Sequence, residues 1–193
     1  DAVVTYMLRD NPDIGIGPVG TVNPVVGECN DGFLNDIQGR HVTEDHVFQA
    51  IESASAGPVV EGAVGAGTGM SAFGFKGGVG TASRVIPQDL GGFTVGVLVV
   101  ANFGRREDLL IAGVPVGLAL RHWQPEEAGG DGADAGSVMV VVATDAPLSD
   151  RQLGRVARRA GHGLARTGSF AGHGSGDFVI AFSSCRPAQD EPG

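Results

Sequence analysis

Gly136-Ser-Val-Met-Val-Val-Val-Ala-Thr-Asp-Ala-Pro-Leu148 contains an unbroken apolar run from Val138 to Ala143. With no polar alternation, a strand over this run is covered on both faces. Asp145 and Pro147 end it. Immediately downstream, Ser149 and Gln152 have the spacing of a capping box. Leu153, Val156, Ala157, Ala160 and Leu164 then recur at three- and four-residue intervals, which predicts an amphipathic helix. Asp177 to Ser183 predicts a further strand, running into a polar, proline-containing tail that reads as frayed. A doubly buried strand needs cover on both sides and helices are its natural cover, so the expected class is layered α/β.

Outward from this stretch the signals weaken. Phe93 to Ala101 predicts a second strand buried on both faces. Glu126 to Gly136 is polar and glycine-rich, so residues 124–136 read as a flexible linker inside a single domain spanning 1–193. Residues 57 to 80 hold nine glycines, which predicts loops, turns and close backbone approach rather than helix. Thr43 to Ala54 predicts a helix, capped by Thr43, with Val47, Ala50, Ile51 and Ala54 on its apolar face. Val3 to Leu8 fits a strand or the end of a helix, Val22 to Val26 is short and β-prone, and Gly113 and Pro115 favour an extended path over Leu109 to Leu120.

Composition excludes several classes. The chain has 193 residues, of which 33 are glycine without a collagen period, and only two cysteines, Cys29 and Cys185, too few for a disulfide scaffold or an all-cysteine metal site. The longest apolar stretch is too short to cross a bilayer, residue 1 does not open a signal peptide, and a net charge of −9 argues against a nucleic-acid partner. The expectation is a soluble, cytoplasmic chain with no membrane or nucleic-acid partner. The helix arginines Arg151, Arg155, Arg158, Arg159 and Arg166 read as a solvated face that offsets the acidic remainder.

Among the residues that carry chemistry, the five histidines (41, 46, 122, 162 and 173) show no metal-binding spacing, so no metal and no cofactor are expected. Lys76 is the only lysine and does not complete a phosphate-binding loop. Gly65-Ala-Gly-Thr-Gly-Met70 fits turns or a substrate-facing wall better than a nucleotide loop. Gly172-His-Gly-Ser-Gly-Asp177 places Ser175 between glycines and two residues before a carboxylate, an arrangement that a simple turn would also explain. Gly136-Ser137 is more suggestive, because a flexible linker ends there in a hydroxyl at the head of a core strand. A self-cleaving precursor needs such a junction: the hydroxyl attacks the preceding carbonyl, an ester replaces the amide, and water frees a new N-terminus. The freed α-amine, with an ordinary pKa near 7.7, can then serve as general base for the adjacent hydroxyl.

The chain resembles the P1-type (S58-like) peptidases, the L-aminopeptidase/D-esterase and β-peptidyl aminopeptidase family of self-processing N-terminal serine hydrolases. The matching stretches are Pro24 to Ile37, Glu61 to Met70, Phe75 to Arg84, Val99 to Arg106, Ala112 to Gly117, Gly136 to Leu148, Ala157 to Ala160, Gly163 to Ser169 and Gly174 to Asp177, in order over nearly the whole length. The resemblance implies an α-β-β-α sandwich of the N-terminal-nucleophile-hydrolase-like type, of which this chain holds only part. It also implies cleavage between Gly136 and Ser137, leaving an α-subunit-like part, 1–136, and the start of a β-subunit-like part, 137–193. Ser137 is then the nucleophile, Ser175 and Asp177 support it, and Asn102 is an oxyanion-hole side chain. Two departures stand out: the family's tyrosine aligns with Asn30 here, and the supporting carboxylate is Asp177 where some members have glutamate.

The implied activity is that of an aminopeptidase or amidase/esterase releasing N-terminal residues from small peptides, aminoacyl amides or esters. Glu28, Asp31 and Asn30 are candidates for binding the substrate, and the full-length protein is expected to be a homo-oligomer of processed heterodimers. Two alternatives are a processing-dead structural or binding domain and an acyltransferase of the ornithine acetyltransferase type. The latter uses threonine where this junction offers serine.

Overall fold

Residues 1–18, 20–123 and 136–185 are described by a computed structural model. The chain forms two compact units, one made of Asp1–Gly27 with Asp36–Pro58 and the other of Glu28–Asn35 with Val59–Gly193.

The second unit is built on a four-stranded sheet in the order β3-β4-β5-β6, preceded by a two-stranded hairpin of β1 (Ser71–Ala72) and β2 (Phe75–Lys76). Strands β3 (Gly78–Val85), β4 (Thr94–Asn102) and β5 (Gly136–Thr144) are antiparallel, with Val79 opposite Val100 and Asn102 opposite Ser137. β6 (Ser175–Ser183) runs parallel to β5, with Gly136 opposite Ser175 and Ser137 opposite Gly176. A parallel neighbour needs a crossover, and α4 (Asp150–Ala165) supplies it. The predicted capping box is present: Ser149 Oγ accepts from the Gln152 N–H at 3.4 Å and Gln152 Oε1 accepts from the Ser149 N–H at 2.9 Å.

Strand alternation gives β5 two apolar faces. Val138, Val140 and Val142 pack with Val97, Val99, Val179 and the helix residues Val156, Ala160 and Leu164. Met139 faces the other way, with Val100, Met70, Cys29 and Ile180. Val138 is fully buried, worth roughly 1.5–3 kcal/mol relative to an exposed valine. The layered α/β reading and both strands therefore hold, β5 as a buried strand and β4 as a half-buried one in which Val100 alone is fully in the core, and the α4 arginines are exposed as expected.

Several local expectations need correction. β3 lies partly inside the stretch read as loops, because its glycines and small polar residues carry no strand signal; five of its eight positions are exposed. Val22 to Val26 forms no strand. After a bridge between Ile111 and Val114, Val116–Ala119 forms one short helix, α3. In the first unit, α1 is Ala2–Asp10 and α2 is Glu44–Glu52. Thr43 caps α2 with His46 as its box partner. The expected apolar face of α2 is largely exposed. Its buried residue is Phe48, against Tyr6 at 5.5 Å between ring centroids and beneath the Arg9 guanidinium at 3.9 Å. Residues 124–135 of the expected linker and residues 186–193 of the expected tail lie outside the described residues.

Candidate active site

Ser137 is a buried hydroxyl, 7% exposed, at the head of β5. It shares a face with Met139, the face opposite α4. Two donors converge on its Oγ: Asn102 Nδ2 at 3.2 Å and the backbone N–H of Asn30 at 3.3 Å. Asn102 is brought there by register, directly across from Ser137 at the end of β4.

Fixed backbone groups set the orientation of the Asn102 amide. The Ser71 N–H donates to Oδ1 at 3.0 Å, and the Asn30 carbonyl accepts from Nδ2 at 2.8 Å. A donor on one side and an acceptor on the other permit only one amide orientation, which leaves the second Nδ2 hydrogen for Ser137. Asn30 contributes its backbone; its side-chain Oδ1 accepts from the Gly32 N–H at 2.9 Å within its own loop and is not used at Ser137.

The residue before Ser137 has no room for a side chain. A Cβ on Gly136 would stand 2.9 Å from both the Asn102 carbonyl oxygen and the Phe103 Cα, so any larger residue would push β5 away from β4. The glycine-rich segment also serves close approach: a Cβ on Gly77 would lie 2.3 Å from the Ala101 carbonyl oxygen and 3.0 Å from the Ser71 nitrogen, and one on Gly69 would meet the Asp31 carboxylate.

Ser175 and Asp177 are brought together but not onto the Ser137 side chain. Ser175 Oγ donates to Asp177 Oδ1 at 2.6 Å. Both lie on the α4 face of β6, where Asp177 and Val179 help line an open cleft of about 370 Å³ with Ala157, Gly161 and Phe170. Ser175 stands in register with Gly136, so the pair flanks the 136–137 peptide bond from the face opposite the hydroxyl.

Among the described residues the remaining candidates share no hydrogen bond with Ser137. Glu28 is exposed, and Asp31 accepts from Asn35 Nδ2 at 3.1 Å. Glu61, outside the cluster, accepts from the Thr81 hydroxyl and backbone N–H, each at 2.6 Å, and these bonds hold its carboxyl below the usual carboxylate range. His41 faces Asp36, His46 caps α2, His122 meets Arg121, and His162 and His173 are exposed. Among the described residues no group of three or more His, Cys, Asp or Glu could hold a metal ion, and no helix is long and apolar enough to cross a membrane. The Asn30 and Ser71 backbone donors escaped sequence reasoning, since a backbone N–H has no residue-type signature. Lys76, visible as the sole lysine, donates through Nζ to the carbonyls of Gly67, Met70 and Gly77, which the sequence does not indicate.

This arrangement can hold a serine oxygen between two neutral donors, beside a peptide bond flanked by a hydroxyl–carboxylate pair. The sequence model of peptidase family S58 matches residues 1–191. The beta-peptidyl aminopeptidase of Sphingosinicella microcystinivorans is 50% identical over 177 residues, which cover 86% of this chain and 45% of that protein. A solved protein from Pyrococcus horikoshii OT3 superposes with a TM-score of 0.85 at 53% identity, over 100% of this chain and 51% of that one. The L-aminopeptidase D-Ala-esterase/amidase of Ochrobactrum anthropi, described as a variant of the Ntn-hydrolase fold, superposes with a TM-score of 0.79 at 43% identity, covering 100% of this chain and 52% of its own. The chain thus has the mixed α/β fold of that type and spans about half the length of these relatives.

Proposed function

The chain belongs to peptidase family S58, and from that premise we propose that Ser137 is the nucleophile of a serine aminopeptidase, exposed by cleavage after Gly136. The observation that carries this reading is the convergence of Asn102 Nδ2 and the Asn30 N–H on Ser137 Oγ, one residue beyond a glycine packed too tightly for a Cβ.

In self-cleavage, Ser137 Oγ attacks the Gly136 carbonyl, the C–N bond breaks, and the Gly136 acyl group passes to oxygen as an ester. Water hydrolyses the ester, leaving a Gly136 carboxylate and a free α-amine on Ser137. In turnover, that amine takes the Oγ proton as the oxygen attacks the substrate carbonyl. Asn102 Nδ2 and the Asn30 N–H, held beside Oγ at 3.2 and 3.3 Å, are next to the carbonyl under attack and are the donors assigned to the oxyanion that develops on its oxygen. The leaving amine recovers the proton, and water releases the acyl group. Ser175 and Asp177, in register with the junction but across the sheet from Oγ, act on the α-amine: the carboxylate favours its protonated form and orients it.

The substrate class is small peptides, aminoacyl amides or esters carrying a free N-terminal amine, in keeping with the activities named for the relatives. In the full-length protein the assembly is a homo-oligomer of processed heterodimers. A cytoplasmic location is part of the same proposal. Reaction with a slowly hydrolysed aminoacyl ester tests the assignment. Acyl mass recovered on Ser137 supports it, and acyl mass on any other residue contradicts it.

A further inference from the structure

Lys76 is the only lysine in the chain, and its ammonium is taken up by backbone carbonyls. Nζ donates to three backbone carbonyls: Gly67 at 2.8 Å, Met70 at 2.9 Å and Gly77 at 2.8 Å. Those bonds use all three of its donors. The Met70 oxygen also accepts the Gly77 N–H at 2.9 Å. The peptide group whose oxygen Lys76 holds is the same planar unit whose N–H, on Ser71, donates to Asn102 Oδ1.

We propose that Lys76 is a positioning residue for the oxyanion donor, acting through the Met70–Ser71 peptide and the Asn102 amide on the oxygen at Ser137. A charge-assisted bond at the Met70 oxygen draws electron density from the peptide nitrogen and strengthens the Ser71 N–H as a donor. Asn102 repeats the step, accepting at Oδ1 and donating from Nδ2 to Ser137 Oγ. Two amides in series thus join a cation to the reacting oxygen. Lys76 is exposed as a residue, so its through-space charge is screened and the coupling runs through the hydrogen bonds. The same three bonds tie Gly67, Met70 and Gly77 into a loop without slack, which fixes where the Ser71 N–H points.

The proposal rests on Asn102 being the oxyanion donor, and a double-mutant cycle separates the two claims. kcat, KM and melting temperature are measured in the processed protein for Lys76→Met, Lys76→Arg, Asn102→Ala and the double variant Lys76→Met/Asn102→Ala. K76M is expected to lower kcat about tenfold with KM changed less than about twofold, and K76R to recover most of the loss, since Arg restores charged donors. In the Asn102→Ala background the K76M effect is expected to vanish, because the route to Ser137 is already cut. An equal fall in kcat in both backgrounds, or no fall in K76M while N102A is severely impaired, overturns the role of Lys76 and leaves the oxyanion assignment standing. A near-normal kcat in N102A overturns the oxyanion assignment, and the role of Lys76 with it. If K76M does not fold, Lys76→Gln replaces it in the same cycle, keeping neutral donors for the loop while removing the cation.

Discussion

At the Gly136–Ser137 end of the sheet, one face presents Ser137 Oγ to two neutral donors, and the opposite face presents Ser175 hydrogen-bonded to Asp177 at 2.6 Å. The two sets are one residue apart in register and belong to adjacent parallel strands. Their separation has an electrostatic reason. On the proposed mechanism negative charge develops on the substrate's carbonyl oxygen as the serine attacks, and a carboxylate beside the donors would oppose it. The same carboxylate helps an ammonium group, and the α-amine that the proposed cleavage would release lies one residue from the position in register with Ser175. On that proposal the sheet divides the labour: donors for the oxyanion on one face, an anion for the base on the other.

The sharpest way to break this division is to remove the shared oxygen. Ser137→Ala is expected to abolish cleavage and to reduce turnover of an aminoacyl p-nitroanilide by on the order of 10⁴ or more, with little change in melting temperature. Parent-level hydrolysis by S137A would defeat the assignment of both faces at once. Removing one donor instead, Asn102→Ala is expected to lower kcat by on the order of 10²–10³. A turn asparagine would shift melting temperature and leave kcat alone, so both are measured on one preparation.

The α4 face is tested by Asp177→Asn. A carboxylate beside the α-amine raises the amine pKa, so its loss should move the acidic limb of kcat/KM to lower pH, away from the ordinary α-amine range of about 7.7–8.0, and reduce kcat about tenfold. An unmoved limb together with a lowered melting temperature would make the Ser175–Asp177 pair a structural clasp. The smallest effect is expected from His162→Gln with His173→Gln. Neither imidazole is hydrogen-bonded to Ser137 among the described residues, so the acidic limb should stay and activity should remain within about tenfold. Loss of the limb in H173Q alone would replace the α-amine with a histidine base.

The same contrast explains what could be read in one dimension. β5 and α4 were legible because an unbroken Val138–Ala143 run and a Ser149/Gln152 box are local signals that agree with the final packing. β3 was hidden because Gly78, Gly80 and the small polar residues after them lie on an exposed sheet edge, where packing imposes no apolar pattern. At the site, Ser137, Ser175 and Asp177 stand in stretches that the residues alone single out, and Asn102 is named by the family resemblance. That Ser175 and Asp177 share a face follows from strand alternation. That this face is opposite Ser137 depends on the parallel register of β5 and β6, which only the folded chain defines. The donors on Asn30 and Ser71 are main-chain groups, and the carbonyls met by Lys76 come from Gly67, from Met70 just before β1 and from Gly77 just after β2. No spacing rule joins them.

Cleavage between the two residues of the junction is the claim on which the rest depends, and intact mass with N-terminal sequencing of the purified protein tests it directly. The expected result is a break after Gly136, giving pieces of 136 and 57 residues from the 193-residue chain, the shorter beginning at Ser137 with a free amine, and no break in Ser137→Ala. An uncut parent chain, a break at another bond, or cleavage that persists in S137A would contradict it.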